Sequence, residues 1–274
     1  MTAPPSSVVH PNILPRALAL VYGIAAYLVF LASFLYAVGF VGDLALPATI
    51  DRGLVSPPMQ AIGIDLVLLS QFAVQHSVMA RASFKRWLTR FIPVAIERST
   101  YVLLSSLAMV LLFWQWRPIP NMVWSVTDPL AAGTIAGVYW IGWAIVLTST
   151  FLTSHAQFFG LSQVVTHFFG ERLPAPFLKT SLFYRYVRHP LYFGFLLAFW
   201  AAPSMTAGHL LFAVATTGYI LLGIQLEERD LIGAFGEDYR RYRRRVAMLI
   251  PMPARKVPAR EAPIINDQTV GERQ

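Results

Sequence analysis

The sequence predicts an all-α fold, a polytopic integral membrane bundle of helices with five to six transmembrane segments. Of its 274 residues, 56% are hydrophobic and only 13% are charged, which is about half the charged share of a soluble domain. The apolar residues gather in runs that approach the roughly 20 residues a helix needs to cross a bilayer. The chain has no cysteine, which excludes a disulfide-stapled scaffold and any mechanism that needs an enzyme thiol or a cysteine-bound metal.

The apolar runs predict the helices in chain order. Four runs precede residue 154, and they span 17–42, 61–80, 100–116 and 129–153. Two more predict a C-terminal helical hairpin, with arms at 191–203 and 208–226 joined by a tight turn at 204–206. The first arm is short, so the sequence leaves open whether it crosses the bilayer. Gly133 and Gly137 form a GxxxG pair, a pattern typical of close helix packing.

One membrane domain is predicted over residues 17–250, with flexible ends at 1–16 and 251–274. Both ends are polar and contain proline, as is common for chain termini that are not packed. The first apolar run is too long for the core of a signal peptide, so a retained helix is predicted.

The basic residues predict the orientation of the bundle. Twenty of the 22 lysines and arginines lie before the first run, in the loops 81–99 and 154–190, or in the tail; Arg52 and Arg117 lie elsewhere. Lys and Arg gather on the cytoplasmic side of membrane proteins, so both termini are predicted to be cytoplasmic, at a bacterial inner membrane. The net charge of +8 then reflects topology and contact with membrane lipid, and no nucleic-acid partner is needed to explain it.

A dense basic and aromatic cluster precedes the hairpin. Pro190 suits the first turn of a helix, and the free N–H groups of such a turn attract an anion. Arg188 and His189 add donors just before it, and Gly194 leaves space where a ligand could approach. A carboxylate or phosphate seat is one interpretation, and an arginine that snorkels to lipid headgroups is the other.

Two acidic residues, Glu227 and Glu228, lie where the last run returns to the same boundary. The predicted hairpin brings them towards Arg188 and His189. An acidic pair beside a basic pair suits a zwitterionic ligand. The structural alternative is an ion pair at a helix end, worth about 1 kcal/mol or less if exposed.

Two histidines lie near the cytoplasmic ends of apolar runs, His76 in the second and His155 in the fourth. Polar groups inside a membrane usually face the bundle interior or a cavity. Their shared depth with His189 and Glu228 predicts one common pocket, although each histidine alone is more often a helix–helix hydrogen bond. Neither lies in an HxxxH or HxxE spacing, so no metal site is predicted.

The motif RHPLYFG at 188–194, followed by LEERDL at 226–231 and FGEDYRRY at 235–242, resembles the membrane methyltransferase superfamily. That superfamily includes isoprenylcysteine carboxyl methyltransferases and phospholipid methyltransferases, and NnrU-type membrane proteins have a similar helix pattern. Upstream segments are similar to one member family, the methanethiol S-methyltransferases. These segments are QHSVMAR at 75–81, ERSTYV at 97–102, WQWRP at 114–118 and FGLSQV at 159–164.

The resemblance implies a cytoplasmic cofactor site for S-adenosylmethionine as methyl donor and a small volatile thiol, methanethiol, as acceptor. The products would be dimethyl sulfide and S-adenosylhomocysteine, and no metal is expected. The residues it assigns to the donor are Tyr186, Arg188, His189, Pro190, Tyr192, Gly194, Glu227 and Glu228.

Within that set, Arg188 and His189 are expected to take the donor carboxylate together with the following helix end. Glu228, with Glu227 as second choice, is expected to take the ammonium. Tyr186 and Tyr192 are expected to pack against the adenosine or to face the sulfonium cation.

A base or a cation is expected beside the acceptor, because the thiolate rather than the thiol is the nucleophile. His155 and His76 are the candidates for this catalytic role. The alternatives are a methyltransferase for isoprenylcysteine or phospholipid, a non-catalytic NnrU-type protein and, less favoured, a nicotinamide-dependent reductase. The oligomeric state is left open.

Overall fold

The structure, a computed structural model, describes residues 13–173 and 182–252. The α-helices there are Ile13–Val41 (α1), Pro58–Ala80 (α2), Ala82–Leu88 (α3), Val94–Gln115 (α4), Pro129–Leu152 (α5), His155–Phe158 (α6), Leu161–Phe169 (α7), Pro190–Trp200 (α8), Ala207–Phe235 (α9) and Glu237–Arg245 (α10). A 3₁₀ helix covers Leu182–Arg185, and the two strands are Met122–Ser125 (β1) and Ser204–Thr206 (β2).

Five helices, α1, α2, α4, α5 and α9, are long and apolar enough to cross a membrane. The predicted all-α polytopic bundle is confirmed, and the chain is an integral membrane protein. The arm predicted at 191–203 is α8, whose 11 residues span about 16 Å, well short of the roughly 30 Å hydrocarbon core. Most of the predicted ends, 1–16 and 251–274, lies outside the described residues, and α1 already begins at Ile13.

Prolines and short polar caps set several helix starts. α2, α5 and α8 begin at Pro58, Pro129 and Pro190, where the missing N–H group removes no helical hydrogen bond. Asp128 caps α5 by accepting a backbone N–H bond at 2.8 Å. Thr206 caps α9 in the same way at 3.1 Å, so both helices gain a partner for an otherwise unpaired donor.

The alternating direction of the long helices gives the bundle two ends. Helices α3, α6, α7 and α10 lie at the end where α2 and α9 finish, which we call the basic end. The opposite end, the strand end, carries β1 and β2, paired antiparallel with Met122 opposite Thr206 and Ser125 opposite Ser204. The predicted turn at 204–206 is therefore a strand, because β1 supplies partners for its backbone groups.

Aromatic rings dominate the core between the long helices. Trp116 is buried and packs edge-on against Phe40 and Phe212, with ring centroids 6.0 and 5.9 Å apart. Its indole N–H donates to the carbonyl oxygen of Ile50 at 3.0 Å. The buried ring therefore keeps its one polar group satisfied.

Helix α8 packs against α5 through a contact between two glycines. A Cβ placed on Gly142 would lie 2.7 Å from the carbonyl oxygen of Gly194 and 2.7 Å from the amide nitrogen of Ala198.

The prediction of close helix packing at Gly133 and Gly137 is wrong within the described part of the chain. A Cβ placed on either has no neighbour within 4 Å, because both glycines are exposed on the outer face of α5.

Gly142→Ala is expected to destabilise the protein, because the added methyl group must push α5 and α8 apart. Overpacking of this kind costs about 1–3 kcal/mol. Gly133→Ala is the same change on the same helix but meets no neighbour, so it should leave stability equal or slightly higher. Thermal unfolding in detergent measures both variants, and a wild-type melting temperature for Gly142→Ala would contradict the packing described here.

Candidate active site

Arg188 and Glu228 form a buried ion pair between the segment before α8 and the end of α9. Arg188 Nε donates to Glu228 Oε1 at 2.8 Å, and the two side chains are only 9% and 8% exposed. The second carboxylate oxygen, Oε2, lies 3.1 Å from Nε of Arg243 on α10. Because a buried charge is costly without a partner, these three side chains stabilise one another's positions.

His189 adds a second link between α8 and α9. Its Nε2 lies 3.2 Å from Glu228 Oε1, and its Nδ1 lies 3.7 Å from Glu227 Oε2. Its carbonyl oxygen accepts the N–H of Phe193 at 3.1 Å and so begins α8, with Pro190 in the first turn. The buried imidazole therefore lies between the two glutamates that the sequence singled out.

The chain after α10 holds the backbone of the same segment. The N–H groups of Arg188 and His189 donate to the carbonyl oxygens of Ala247 and Met248 at 2.8 and 3.2 Å. Arg188 Nη1 also donates to a backbone carbonyl oxygen, that of Val246, at 2.5 Å. We call α10 and residues 246–249 the C-terminal clamp.

The C-terminal clamp also contacts the 3₁₀ helix. The hydroxyl of Tyr242 donates to the carbonyl oxygen of Tyr184 at 2.7 Å. Beside it, Tyr239 is buried against the end of α9, and burial holds the pKa of both α10 tyrosines well above their usual range. They therefore pack as neutral rings, and the clamp fixes Tyr184 as well as Arg188.

The two glutamates differ in what they can offer a ligand. Both oxygens of Glu228 already face protein cations, whereas the side chain of Glu227 is 45% exposed. The resemblance implies Glu228 first and Glu227 second for a ligand ammonium. The geometry favours the reverse order, because only Glu227 presents a carboxylate that is not already neutralised by arginine.

Two tyrosines flank Glu227. Burial, with the negative charge of Glu227, raises the pKa of Tyr184 to about 12, so this hydroxyl stays protonated. Tyr192 on α8 also interacts with Glu227, and its hydroxyl reaches across to Gly223 on α9. A carboxylate beside aromatic faces is suited to bind an organic cation; we call Tyr184, His189, Tyr192 and Glu227 the outer group.

A second polar cluster surrounds His76. Its Nε2 lies 2.7 Å from the hydroxyl of Tyr101, and its Nδ1 lies 3.2 Å from Oγ of Ser105. The ring of Tyr219 on α9 lies 6.5 Å from the imidazole. Tyr192 interacts electrostatically with both Tyr219 and Tyr101, so this inner cluster (His76, Tyr101, Ser105 and Tyr219) adjoins the outer group.

His155 lies in a different environment. Its Nε2 is 2.9 Å from the hydroxyl of Tyr27, its Nδ1 is 2.8 Å from Oγ1 of Thr150, and its ring stacks on Phe151 at 4.5 Å. Burial lowers the pKa of His155, so the ring is neutral at neutral pH. Among the described residues, no hydrogen bond or ring contact joins it directly to His76.

The other residues that the resemblance assigns to the methyl donor lie in different environments. Tyr186 is 54% exposed, and Pro190 is fully buried in the first turn of α8. Gly194 faces α5 rather than the outer group, so the approach of Gly142 explains why a side chain is missing there.

Four candidate residues escaped the sequence reasoning: Tyr184, Tyr101, Tyr219 and Arg243. Tyr184 and Tyr186 stand two apart, and the pattern alone does not tell which one faces Glu227. Tyr101 belongs to the ERSTYV segment, whose resemblance assigns no role to this residue. Arg243 is one of five arginines in α10, and nothing in its neighbours distinguishes it.

Within residues 13–173 and 182–252, no three or more His, Asp or Glu side chains converge on a position that could hold a metal ion. Instead, His189 of the outer group lies against Glu227 and Glu228, and His76 of the inner cluster lies within hydrogen-bond distance of Tyr101 and Ser105.

The chain is similar to several curated proteins. It is 55% identical over 240 residues to "Methanethiol S-methyltransferase" of Mycobacterium tuberculosis, covering 88% of this chain and 98% of that protein. It is 57% identical over 236 residues to "Methanethiol S-methyltransferase 1" of Bradyrhizobium diazoefficiens, covering 86% and 83%. Nurim of Xenopus laevis is 31% identical over 179 residues, 62% of each chain. No family model and no solved structure matches.

Arg243→Gln is expected to loosen the C-terminal clamp, because Oε2 of Glu228 loses its cation while Arg188 keeps its bond. Arg243 is half exposed, so solvent limits the effect to about 1 kcal/mol, which corresponds to roughly fivefold faster hydrogen exchange over residues 237–249. Arg240→Gln is the matched control, because Arg240 is equally exposed and pairs only within α10. Exchange at the wild-type rate in Arg243→Gln would show that this contact does not hold the clamp.

Proposed function

The chain belongs to the methanethiol S-methyltransferase family, and from this premise we propose that it transfers the methyl group of S-adenosylmethionine to methanethiol, giving dimethyl sulfide. The observation that carries the proposal is the high identity to relatives of that name over nearly the whole membrane domain. The outer group and the inner cluster supply the side chains that this chemistry needs.

The outer group fits the charged end of the donor. S-adenosylmethionine carries an ammonium, a carboxylate and a sulfonium, and the half-exposed carboxylate of Glu227 is suited to the ammonium. The rings of Tyr184 and Tyr192 offer π faces to a cation. His189 is held against Glu227 and Glu228, so these side chains are ordered before the donor binds, which reduces the entropy cost of binding.

The reaction is a direct displacement at the methyl carbon. A lone pair of the methanethiol sulfur forms the new S–C bond, while the bond from the methyl carbon to the donor sulfur breaks and its electron pair stays on that sulfur. The sulfonium charge is thereby neutralised, and the thiol proton passes to a base. The protein contributes chiefly by aligning the two sulfurs on either side of the methyl group.

His76 is the better placed of the two candidate bases. The inner cluster adjoins Tyr192, which borders Glu227, whereas His155 is bonded to Tyr27 and Thr150 in a separate group. The thiolate is the reactive form of the acceptor. A neutral imidazole bonded to the Tyr101 hydroxyl can take the thiol proton, directly or through that hydroxyl.

The two substrates would reach the site from different phases. The charged donor would enter from water at the basic end, where the outer group lies. Methanethiol is small and apolar and would partition into lipid, from which the bundle is accessible on all sides. The positive-inside rule supports a cytoplasmic basic end, and the proposal therefore has both termini in the cytoplasm and the protein in the bacterial inner membrane.

His76→Ala is expected to lower dimethyl sulfide production about 100-fold or more, the usual effect of removing a general base. His155→Ala should cost less, because that ring lies outside the inner cluster. The measurement is headspace gas chromatography over membranes supplied with both substrates. His167→Ala, on α7, is the matched histidine control; full activity in His76→Ala with loss in His155→Ala would transfer the role to His155.

Glu227→Gln is expected to raise the KM for S-adenosylmethionine about tenfold with little change in melting temperature, because the side chain is half exposed. Glu228→Gln should instead lower the melting temperature, since it leaves two arginines without their counter-charge, a loss of about 3–5 kcal/mol for a buried pair. The two amide variants have equal size, so each is the control for the other. A wild-type KM in Glu227→Gln would remove Glu227 from the donor site.

The same headspace assay, extended to a panel of acceptors, tests the proposed acceptor. Wild-type protein should methylate methanethiol in preference to an isoprenylcysteine or a phosphatidylethanolamine. Methylation of either lipid without dimethyl sulfide would overturn the acceptor. Failure to bind S-adenosylhomocysteine at micromolar concentration in calorimetry would favour a non-catalytic protein of the NnrU kind.

A further inference from the structure

The carboxylate of the donor has no uncommitted arginine within the outer group. The sequence predicts that Arg188, His189 and the start of α8 take it together. The Arg188 side chain, however, is paired with Glu228 and bonded to the carbonyl oxygens of Arg243 and Val246, and His189 lies against Glu227 and Glu228. Arg243 in turn faces the other oxygen of Glu228. A carboxylate that lies next to an ammonium held by Glu227 therefore needs a cation from another element.

Three cations approach one another beside Asp230 of α9, where α2 ends and α4 begins. Arg81 is the C-cap of α2, Lys85 lies in α3 and Arg98 lies in the second turn of α4. The charges of both arginines act on Lys85, and burial lowers the pKa of this lysine. We call these three residues the cation group. Arg81 and Arg98 come from the upstream segments QHSVMAR and ERSTYV, to which the proposed reaction gives no arginine role.

Arg98 is oriented but not neutralised. Its Nε donates to the carbonyl oxygen of Phe158 at 2.8 Å. Its guanidinium lies 5.0 Å from the ring centroid of Tyr101 and 5.3 Å from that of Phe158. Within the described part of the chain Arg98 forms no salt bridge, and no hydrogen bond involves its two terminal nitrogens. Two donors in one fixed plane are thus left for a ligand, the geometry that suits a carboxylate.

Arg81 brings the cation group close to Glu227. Its Nη1 lies 3.1 Å from Oδ2 of Asp230, and Asp230 follows Glu227 by three residues on α9, about 4.5 Å along the helix axis. Nε of Arg81 is buried and lacks a hydrogen-bond partner in the described residues. The group thus has unused donors within about one helical turn of the predicted ammonium site.

The acidic side chains near the cation group do not cancel it. Asp230 is 65% exposed and contacts Arg81. Glu97 acts on Lys85 and Tyr101 at longer range but forms no salt bridge within 4 Å among the described residues, and its Oε1 is buried without a partner. Three cations against two carboxylates leave one positive charge, enough to match one ligand carboxylate.

We propose that Arg98, supported by Arg81 and Lys85, binds the carboxylate of the methyl donor while Glu227 binds its ammonium. This assignment rests on the proposed function. It places the amino-acid end of the donor between α9 and the α2–α4 junction. His76 precedes Arg81 by five residues and Tyr101 follows Arg98 by three, so the inner cluster lies about 5–8 Å deeper, where the methyl group has to meet the thiol.

The test compares two probes by calorimetry on the full-length protein in detergent. S-adenosylhomocysteine carries the carboxylate, and S-adenosyl-3-thiopropylamine is the same molecule without it. Wild-type protein should bind the first at least about tenfold more tightly, as expected for a charge-assisted contact. Arg98→Gln should weaken S-adenosylhomocysteine by a similar factor and leave the other probe within twofold, so that the preference disappears.

Arg90→Gln is the matched control, because it removes an exposed arginine between α3 and α4 and should keep the full preference. Arg81→Gln is a second variant and should reduce the preference even if Arg98→Gln folds poorly; melting temperatures identify that case. Wild-type protein that binds neither probe would overturn the proposed donor. Wild-type preference retained in both variants, or equal weakening of both probes, would overturn the carboxylate assignment alone.

Discussion

The buried carboxylate of Glu228 is the constraint on which the basic end of the bundle depends. Arg188 and Arg243 each neutralise one of its oxygens, and His189 lies against it. The end of α9, the start of α8 and the C-terminal clamp therefore meet at one residue. Removing one partner of the buried Arg188–Glu228 pair costs about 3–5 kcal/mol, and the half-exposed Arg243 adds a weaker contact, so these elements are coupled at Glu228. The charge network thereby gives rigidity to a half-length helix that could not span the membrane by itself.

This constraint divides two adjacent glutamates into different roles. Successive residues of a helix point about 100° apart, so Glu228 turns towards α8 and the clamp while Glu227 turns towards Tyr184 and Tyr192. One carboxylate stabilises the fold and the other stays accessible. The two arginines differ in the same way. Arg188 is paired with Glu228, whereas the terminal nitrogens of Arg98 have no hydrogen-bond partner among the described residues. A charged ligand can then be bound without competing with the pair that holds the site together.

Charged and uncharged polar side chains lie at different depths along the bundle. Charged side chains lie at the basic end, where water can solvate an ionic substrate, and the inner cluster around His76 lies between apolar helices. In the proposed reaction, an apolar thiol and a water-soluble sulfonium compound would meet where these regions adjoin. Tyr192 lies at that boundary, because it interacts with Glu227 and also, electrostatically, with Tyr101 and Tyr219.

The sequence by itself determined the helices, the membrane class, the asymmetric distribution of charge and the motif that locates the site. These properties follow from local apolar run length, proline and charge positions, which act within one element. Only the tertiary structure decided that Glu227 rather than Glu228 is accessible, that His76 and His155 have different hydrogen-bond partners, and that Gly142 meets Gly194 while Gly133 faces outward. It also paired 204–206 with β1. These contacts depend on which face of an element meets its neighbour. The packing of elements that are distant in the chain determines that face.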